Sequence, residues 1–173
     1  MKRFIFFIAV LFLGVSAMAQ VNVFDAARTN DLKTITSFIE CGNKIDTLNQ
    51  SGHSLLILAI YHNNIEVANY LVEHKANLEI QDPSGNTALM GACFKGHKEL
   101  AVLLLEKGAD PNLINYNHAN ALFYAATFGH AAIVEELLKY KINKTQKDQL
   151  GKTALDYAMI QGNEQIVKML TGS

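Results

Sequence analysis

The chain has 173 residues, with 15 Lys and Arg against 16 Asp and Glu, a formal net charge of −1, six His and two Cys. Nothing in that balance points to the clustered basic surface that nucleic acid or an acidic membrane requires, and the two Cys permit at most one disulfide. The length is ample for one domain with a sizeable core.

The first nineteen residues stand apart. Met1-Lys2-Arg3 is basic, Phe4 to Val15 is an uncharged 12-residue run, and Ser16-Ala17-Met18-Ala19 supplies small residues before Gln20. This layout predicts a secretory signal peptide over 1–19, cleaved after Ala19. A membrane span needs about 20 apolar residues, so the run is too short for an anchor, and no Cys follows it to carry lipid. The predicted localisation is periplasmic or secreted. Removing Lys2 and Arg3 from the 15 basic residues leaves 13 against 16 acidic ones, a mature net charge of −3.

After Gln20 the sequence matches itself at an offset of 33. Gly85-Asn86-Thr87-Ala88-Leu89 returns as Gly151-Lys152-Thr153-Ala154-Leu155, and earlier as Gly52-His53-Ser54-Leu55-Leu56. Ala26, Ala59, Ala92, Ala125 and Ala158 share one slot. Phe38, Leu71, Leu104, Leu137 and Leu170 share another. A fixed period of this size means a stacked array of small units. Five units are expected, at about 20–48, 49–81, 82–114, 115–147 and 148–173.

Each unit reads as helix, tight turn, helix and extended loop. Thr87, Thr153, Ser54 and Asn120 stand before helical runs, where a side-chain oxygen satisfies orphan N–H groups. Leu89, Ala92 and Cys93 then fall at i, i+3 and i+4, one buried face. Asn63, Gly96, Gly129 and Gly162 mark the turn between the two helices. His118 stands where the other units have Gly52, Gly85 and Gly151, so a strained positive φ is expected there. The first unit, with Val23-Phe24-Asp25-Ala26-Ala27, reads as a cap. The last has a polar outer helix bearing Glu164, Gln165 and Lys168, as terminal units of an array should. The array is expected to be complete.

These phrases resemble the ankyrin repeat family over essentially all of Gln20–Ser173. The family's T-P-L-H-x-A phrase is matched by Thr87-Ala88-Leu89-Met90-Gly91-Ala92 and Thr153-Ala154-Leu155-Asp156-Tyr157-Ala158. Gly96-His97 and Gly129-His130 resemble its Gly-His turn. Gly108-Ala109-Asp110-Pro111-Asn112 resembles its Gly-Ala-Asp-x-Asn ending. The usual Pro and His after the Thr are absent from every unit. The resemblance implies an all-α solenoid of helix-turn-helix units with hairpin-like loops, and a binding role.

Residues that could carry chemistry have a structural reading. His97 and His130 occupy one repeat slot, where the family uses His structurally. His53, His62, His74 and His118 lack ligand-like spacing. The glycines recur at the repeat period, so they serve turns, and no nucleophile signature is present. The chain is therefore read as a non-enzyme without cofactor or metal. Cys41 and Cys93 lie two units apart, roughly 20 Å at about 10 Å per stacked helix. A disulfide needs Cα atoms within about 7 Å, so both thiols are expected to be free.

In the family, the loop tips and the exposed side of each first helix line a concave face. Transferred slot by slot, that face holds Tyr61, His62, Phe94, Lys95, Tyr116, Asn117, Tyr124 and Phe128 as the expected partner-contacting residues. Solvent slots rarely need so many aromatics, and aromatics are enriched among binding hot spots. Partial packing of Phe94 and Phe128 on neighbouring helices is the alternative. The expected function is protein binding by an exported monomer that engages neither nucleic acid nor, after cleavage, membrane. An immunity or inhibitor protein against an exported toxin or enzyme stays open, as does a support factor for an exported oxidative-stress enzyme.

Overall fold

A computed structural model describes residues 23–172. The expected signal peptide over 1–19 lies outside the described residues. The helices come in pairs along the chain: α1 (23–29) with α2 (Leu32–Glu40), α3 (Leu55–Tyr61) with α4 (Ile65–Glu73), α5 (Ala88–Lys95) with α6 (Lys98–Glu106), α7 (Ala121–Thr127) with α8 (Ala131–Leu138), and α9 (Ala154–Ile160) with α10 (Glu164–Thr171). Among the described residues the only β pairing is an isolated bridge between Leu48 and Ser54. The fold is an all-α repeat solenoid, as the resemblance implies.

The helices are short, 7 to 9 residues from α2 onward. Isolated helices of this length are marginal in water, so capping and packing must hold them. The inner helices start on side-chain caps: Ser54 accepts from the Ile57 N–H, Thr87 from Met90, Asn120 from Phe123 and Thr153 from Asp156. Thr153 and Asp156 close a reciprocal capping box. The turn inside each hairpin needs a left-handed residue, supplied by Asn30, Asn63, Gly96, Gly129 and Gly162 in succession. His118 has φ 60°, as its slot demands. Lys75 and Lys141 adopt the same conformation in the slot of Gly42 and Gly108.

Stacking follows two rows. The inner helices α3, α5, α7 and α9 pack in sequence, and the outer helices α2, α4, α6, α8 and α10 do likewise. Alanine at the shared inner slot, fully buried from Ala59 to Ala158, lets neighbouring helices approach closely. Leu71, Leu104 and Leu137 are 0% exposed, whereas Phe38 and Leu170 at the two ends reach 9% and 7%. One apolar cluster runs from Val23 to Leu170.

The loops form a second ladder. Asn49, Asp82, Asn115 and Asp148 each accept two main-chain N–H groups on Oδ1, from the residues two and four positions on. These Asx turns fold the loop back on itself. Units are then tied together by Asp46 to the Asn77 N–H, Glu79 to the Asp110 N–H and Asn112 to the Asn143 N–H, at 2.9, 2.8 and 2.7 Å.

Candidate functional site

The inner helices and the loops above them present one aromatic row. Phe94, at the C-terminal end of α5, is its centre. Its ring stacks on Tyr61 from α3 at 6.0 Å and 21°, and meets Phe128 edge-on at 4.7 Å and 83°. Tyr124 from α7 meets it edge-on at 6.1 Å and 88°. Offset and edge-on geometries are the favoured ones for such rings. Lys95 Nζ lies 4.5 Å from the Tyr61 ring centroid, within cation–π range.

Six of the eight expected residues thus lie on or at the ends of the inner helices: Tyr61, His62, Phe94, Lys95, Tyr124 and Phe128. Tyr116 and Asn117 lie on the loop before α7, where Tyr116 is 63% exposed and makes none of the aromatic row's ring contacts among the described residues. Its main chain is fixed instead, donating to the Ser84 carbonyl at 3.2 Å. Ala119, on the same loop, is buried at its base. Phe94 is half-buried while Tyr61 and Phe128 are 41% and 49% exposed. The row therefore packs on itself and still presents ring surface to solvent.

A hydrogen-bonded core supports the row from below. Asn115 Nδ2 donates to Asn86 Oδ1 at 2.8 Å and to the Tyr124 hydroxyl at 2.7 Å. The Tyr124 hydroxyl donates onward to Asn86 Oδ1 at 2.9 Å. Burial, followed by the charge of Asp82, pushes the Tyr124 phenol up, so it remains a donor at neutral pH. Tyr157 repeats the arrangement one unit later, donating to Asp148 Oδ2 at 2.8 Å. Phe123 lies between these tyrosines, 5.5 Å from Tyr124 and 4.6 Å from Tyr157. Phe123 and Tyr157 extend the row beyond the expected residues. The signal for Tyr157 was the 33-residue offset itself, since it shares the slot of Tyr124, whereas Phe123 shares its slot with Met90 and Asp156 and carried no such signal.

A hollow of about 370 Å³ opens beside the row, bounded in part by His53, Tyr61, His62, Asp82, Gly91 and Tyr124. Asp82 Oδ1 is committed to the Asx turn, and Oδ2 accepts from Asn86 Nδ2 at 3.2 Å.

The histidines at the hairpin turns are structural. His130 Nε2 lies 3.2 Å from the Phe94 carbonyl, and His97 bonds the Tyr61 main chain in the same register. Burial pushes the His97 imidazole down, so it is neutral at pH 7. Each ring thereby caps the end of the preceding unit's inner helix. Cys93 is buried and Cys41 exposed, and both are free thiols. Burial pushes the Cys93 thiol far up, so it is unreactive. Among the described residues no group of three His, Cys, Asp or Glu could hold a metal ion, and no helix is long and apolar enough to cross a membrane.

No curated protein matches the chain. A family model described as ankyrin repeats, in three copies, matches residues 23–115 and again 112–173. Such repeats are generally protein–protein interaction modules and typically non-catalytic. With the 33-residue period, the paired helices and the hairpin turns all in that register, the chain belongs to the ankyrin repeat family.

Proposed function

We propose that the chain is an exported, monomeric, non-catalytic module that binds one protein partner on the face built by the inner helices and loop tips. One observation carries this reading. Tyr61, Phe128 and Tyr116 expose 41%, 49% and 63% of their surface, whereas the shared core slots, Ala59 to Ala158 and Leu71 to Leu137, are fully buried. Of these, Tyr61 and Phe128 are held in one row by Phe94, whose other neighbour Tyr124 is fixed by its bonds to Asn86 and Asn115. A preorganised aromatic surface binds at low entropic cost. The signal-like residues 1–19 support export, and a net charge of −3 once those residues are removed supports a protein partner over nucleic acid.

The experiment captures the partner with the mature chain from the native host and measures affinity by titration. Contact should span several units and bury on the order of 1,600 Å². Tyr61→Ala and Phe128→Ala should each weaken binding at least about tenfold, with the urea midpoint nearly unchanged. Glu135→Ala and Lys139→Ala, on and just after the outer helix α8, should do little. Loss of binding from the outer-helix changes alone would move the working face to the other side of the solenoid.

A further inference from the structure

The hollow beside the aromatic row has an origin in the repeat register. One inner-helix slot holds Leu58, Gly91, Tyr124 and Tyr157 in successive units. In the last two units the tyrosine fills a defined site. Tyr157 donates to the turn residue Asp148 at 2.8 Å and packs its ring on Phe123 at 4.6 Å. Tyr124 is bonded to the turn residue Asn115 at 2.7 Å, donates to Asn86 at 2.9 Å and packs on Phe94 at 6.1 Å.

The unit containing Gly91 has polar and aromatic residues at the corresponding positions but lacks the tyrosine. Asp82 stands where Asn115 and Asp148 stand. Tyr61 stands one unit before Phe94, and His53 one unit before Asn86. Gly91 contributes no side chain, and a Cβ there would meet nothing closer than Tyr61 Cδ2 at 3.6 Å and Ile60 Cγ2 at 3.9 Å. The space so left is the hollow of about 370 Å³, which His53, Tyr61, Asp82 and Gly91 help to line. That volume lies within the roughly 300–1,000 Å³ of ordinary ligand pockets.

We propose that this hollow receives one tyrosine side chain of the protein partner, with its ring against Tyr61 and its hydroxyl donated to the Asp82 carboxylate. The inference rests on the binding-face reading above and adds the partner's chemistry to it. Charge selects the phenol. The Asp82 carboxylate attracts a hydrogen-bond donor and repels an anion such as a phosphorylated tyrosine. Lys95 Nζ already occupies the cation position over Tyr61, 4.5 Å from its centroid, and repels an incoming Arg or Lys. A neutral ring bearing one hydroxyl satisfies both, and the chain places such a ring in the equivalent site twice.

The test titrates the mature chain with N-acetyl-tyrosinamide, N-acetyl-phenylalaninamide and N-acetyl-argininamide, following the backbone amide resonances of Gly91 and its neighbours. The tyrosine amide should saturate these shifts with a Kd on the order of 1 mM. The phenylalanine amide should bind about tenfold more weakly, for want of the hydroxyl–carboxylate bond. The arginine amide should be weaker than the tyrosine amide. Gly91→Tyr should abolish the response while retaining the helical spectrum, because its own phenol fills the site. Gly91→Leu, which copies Leu58, should abolish it also and decides the matter if the tyrosine variant fails to fold. Equal binding of the phenylalanine amide, tighter binding of the arginine amide, no saturable shift, or an unchanged response in a folded Gly91 variant would each overturn the proposal. If the tyrosine amide fails while partner affinity still depends on Tyr61 and Phe128, the binding-face reading stands and the tyrosine receptor alone is lost.

Discussion

At the scale of single residues, the repeat shows which side chains sit against local preference. Glu79 holds the Asp110 N–H with Oε1 at 2.8 Å, but its buried Oε2 has no hydrogen-bond partner. Burial, and then the Asp110 carboxylate, push its acid up. The folded state therefore holds this proton more tightly than the unfolded chain, whose carboxyl titrates near about 4.3. Stability from this group is present below that pH and falls as pH rises through the raised folded value. Glu79→Gln keeps the Oε1 acceptor and removes the charge. It should stabilise the chain at pH 7 by up to about 1 kcal/mol, with the gain gone near pH 3, as urea titrations at the two pH values would show. Backbone strain gives a second case. Lys141, φ 52°, shares its slot with Gly42 and Gly108, where a Cβ would meet nothing within 4 Å. Only the conformation is costly there, so Lys141→Gly should gain about 1 kcal/mol. Gly96→Ala differs in kind. Its Cβ would stand 2.6 Å from His130 Cε1, and that ring is held at the Phe94 carbonyl. A loss of about 2 kcal/mol or more is expected, and thermal melts of both variants check the contrast.

At the scale of the element, each helix is a weak unit made stable by its ends. The caps at Ser54, Thr87, Asn120 and Thr153 were legible in the sequence, because a 33-residue offset lays equivalent positions side by side and a capping residue has a narrow chemistry. Left-handed turns were legible at Asn63 and at the turn glycines, and at His118 by analogy with its neighbours, but not at Asn30 in the first unit. Lys75 and Lys141 were not, since lysine carries no sign of positive φ. The same limit governs the candidate site. Slots identify which residues share a face, so Tyr61, Phe94, Tyr124 and Phe128 could be named together. They do not show which residues touch across units. The Asn86–Asn115–Tyr124 bonds join positions 29 and 38 apart and depend on how far one unit is shifted against the next. Gly91 was visible as part of a helix phrase, but its meaning lies in the tyrosines that replace it later in the chain.

At the scale of the whole molecule, the described stack has central and outermost units, and this should decide how damage spreads. In a linear stack each unit touches only its neighbours, so stability is approximately a sum of unit terms and interface terms. The outer helices illustrate this: α6 packs on α4 and α8, whereas α10 meets only α8 in its row. Leu104, 0% exposed, is enclosed by units on both sides, and Leu170 at 7% is enclosed by one. Leu104→Ala removes buried methyl groups and leaves a cavity whose walls belong to three units, a loss of about 2–5 kcal/mol. Leu170→Ala should cost less, because α10 packs on α8 alone in its row and Leu170 is already 7% exposed. The two should also differ in character. A central lesion weakens the interfaces that couple the halves of the array, so the urea transition should broaden or divide. A terminal lesion should fray the final hairpin and leave the remaining transition sharp. Equal losses with identical slopes for the two variants would contradict the one-dimensional picture and require coupling across the array that nearest-neighbour stacking does not supply.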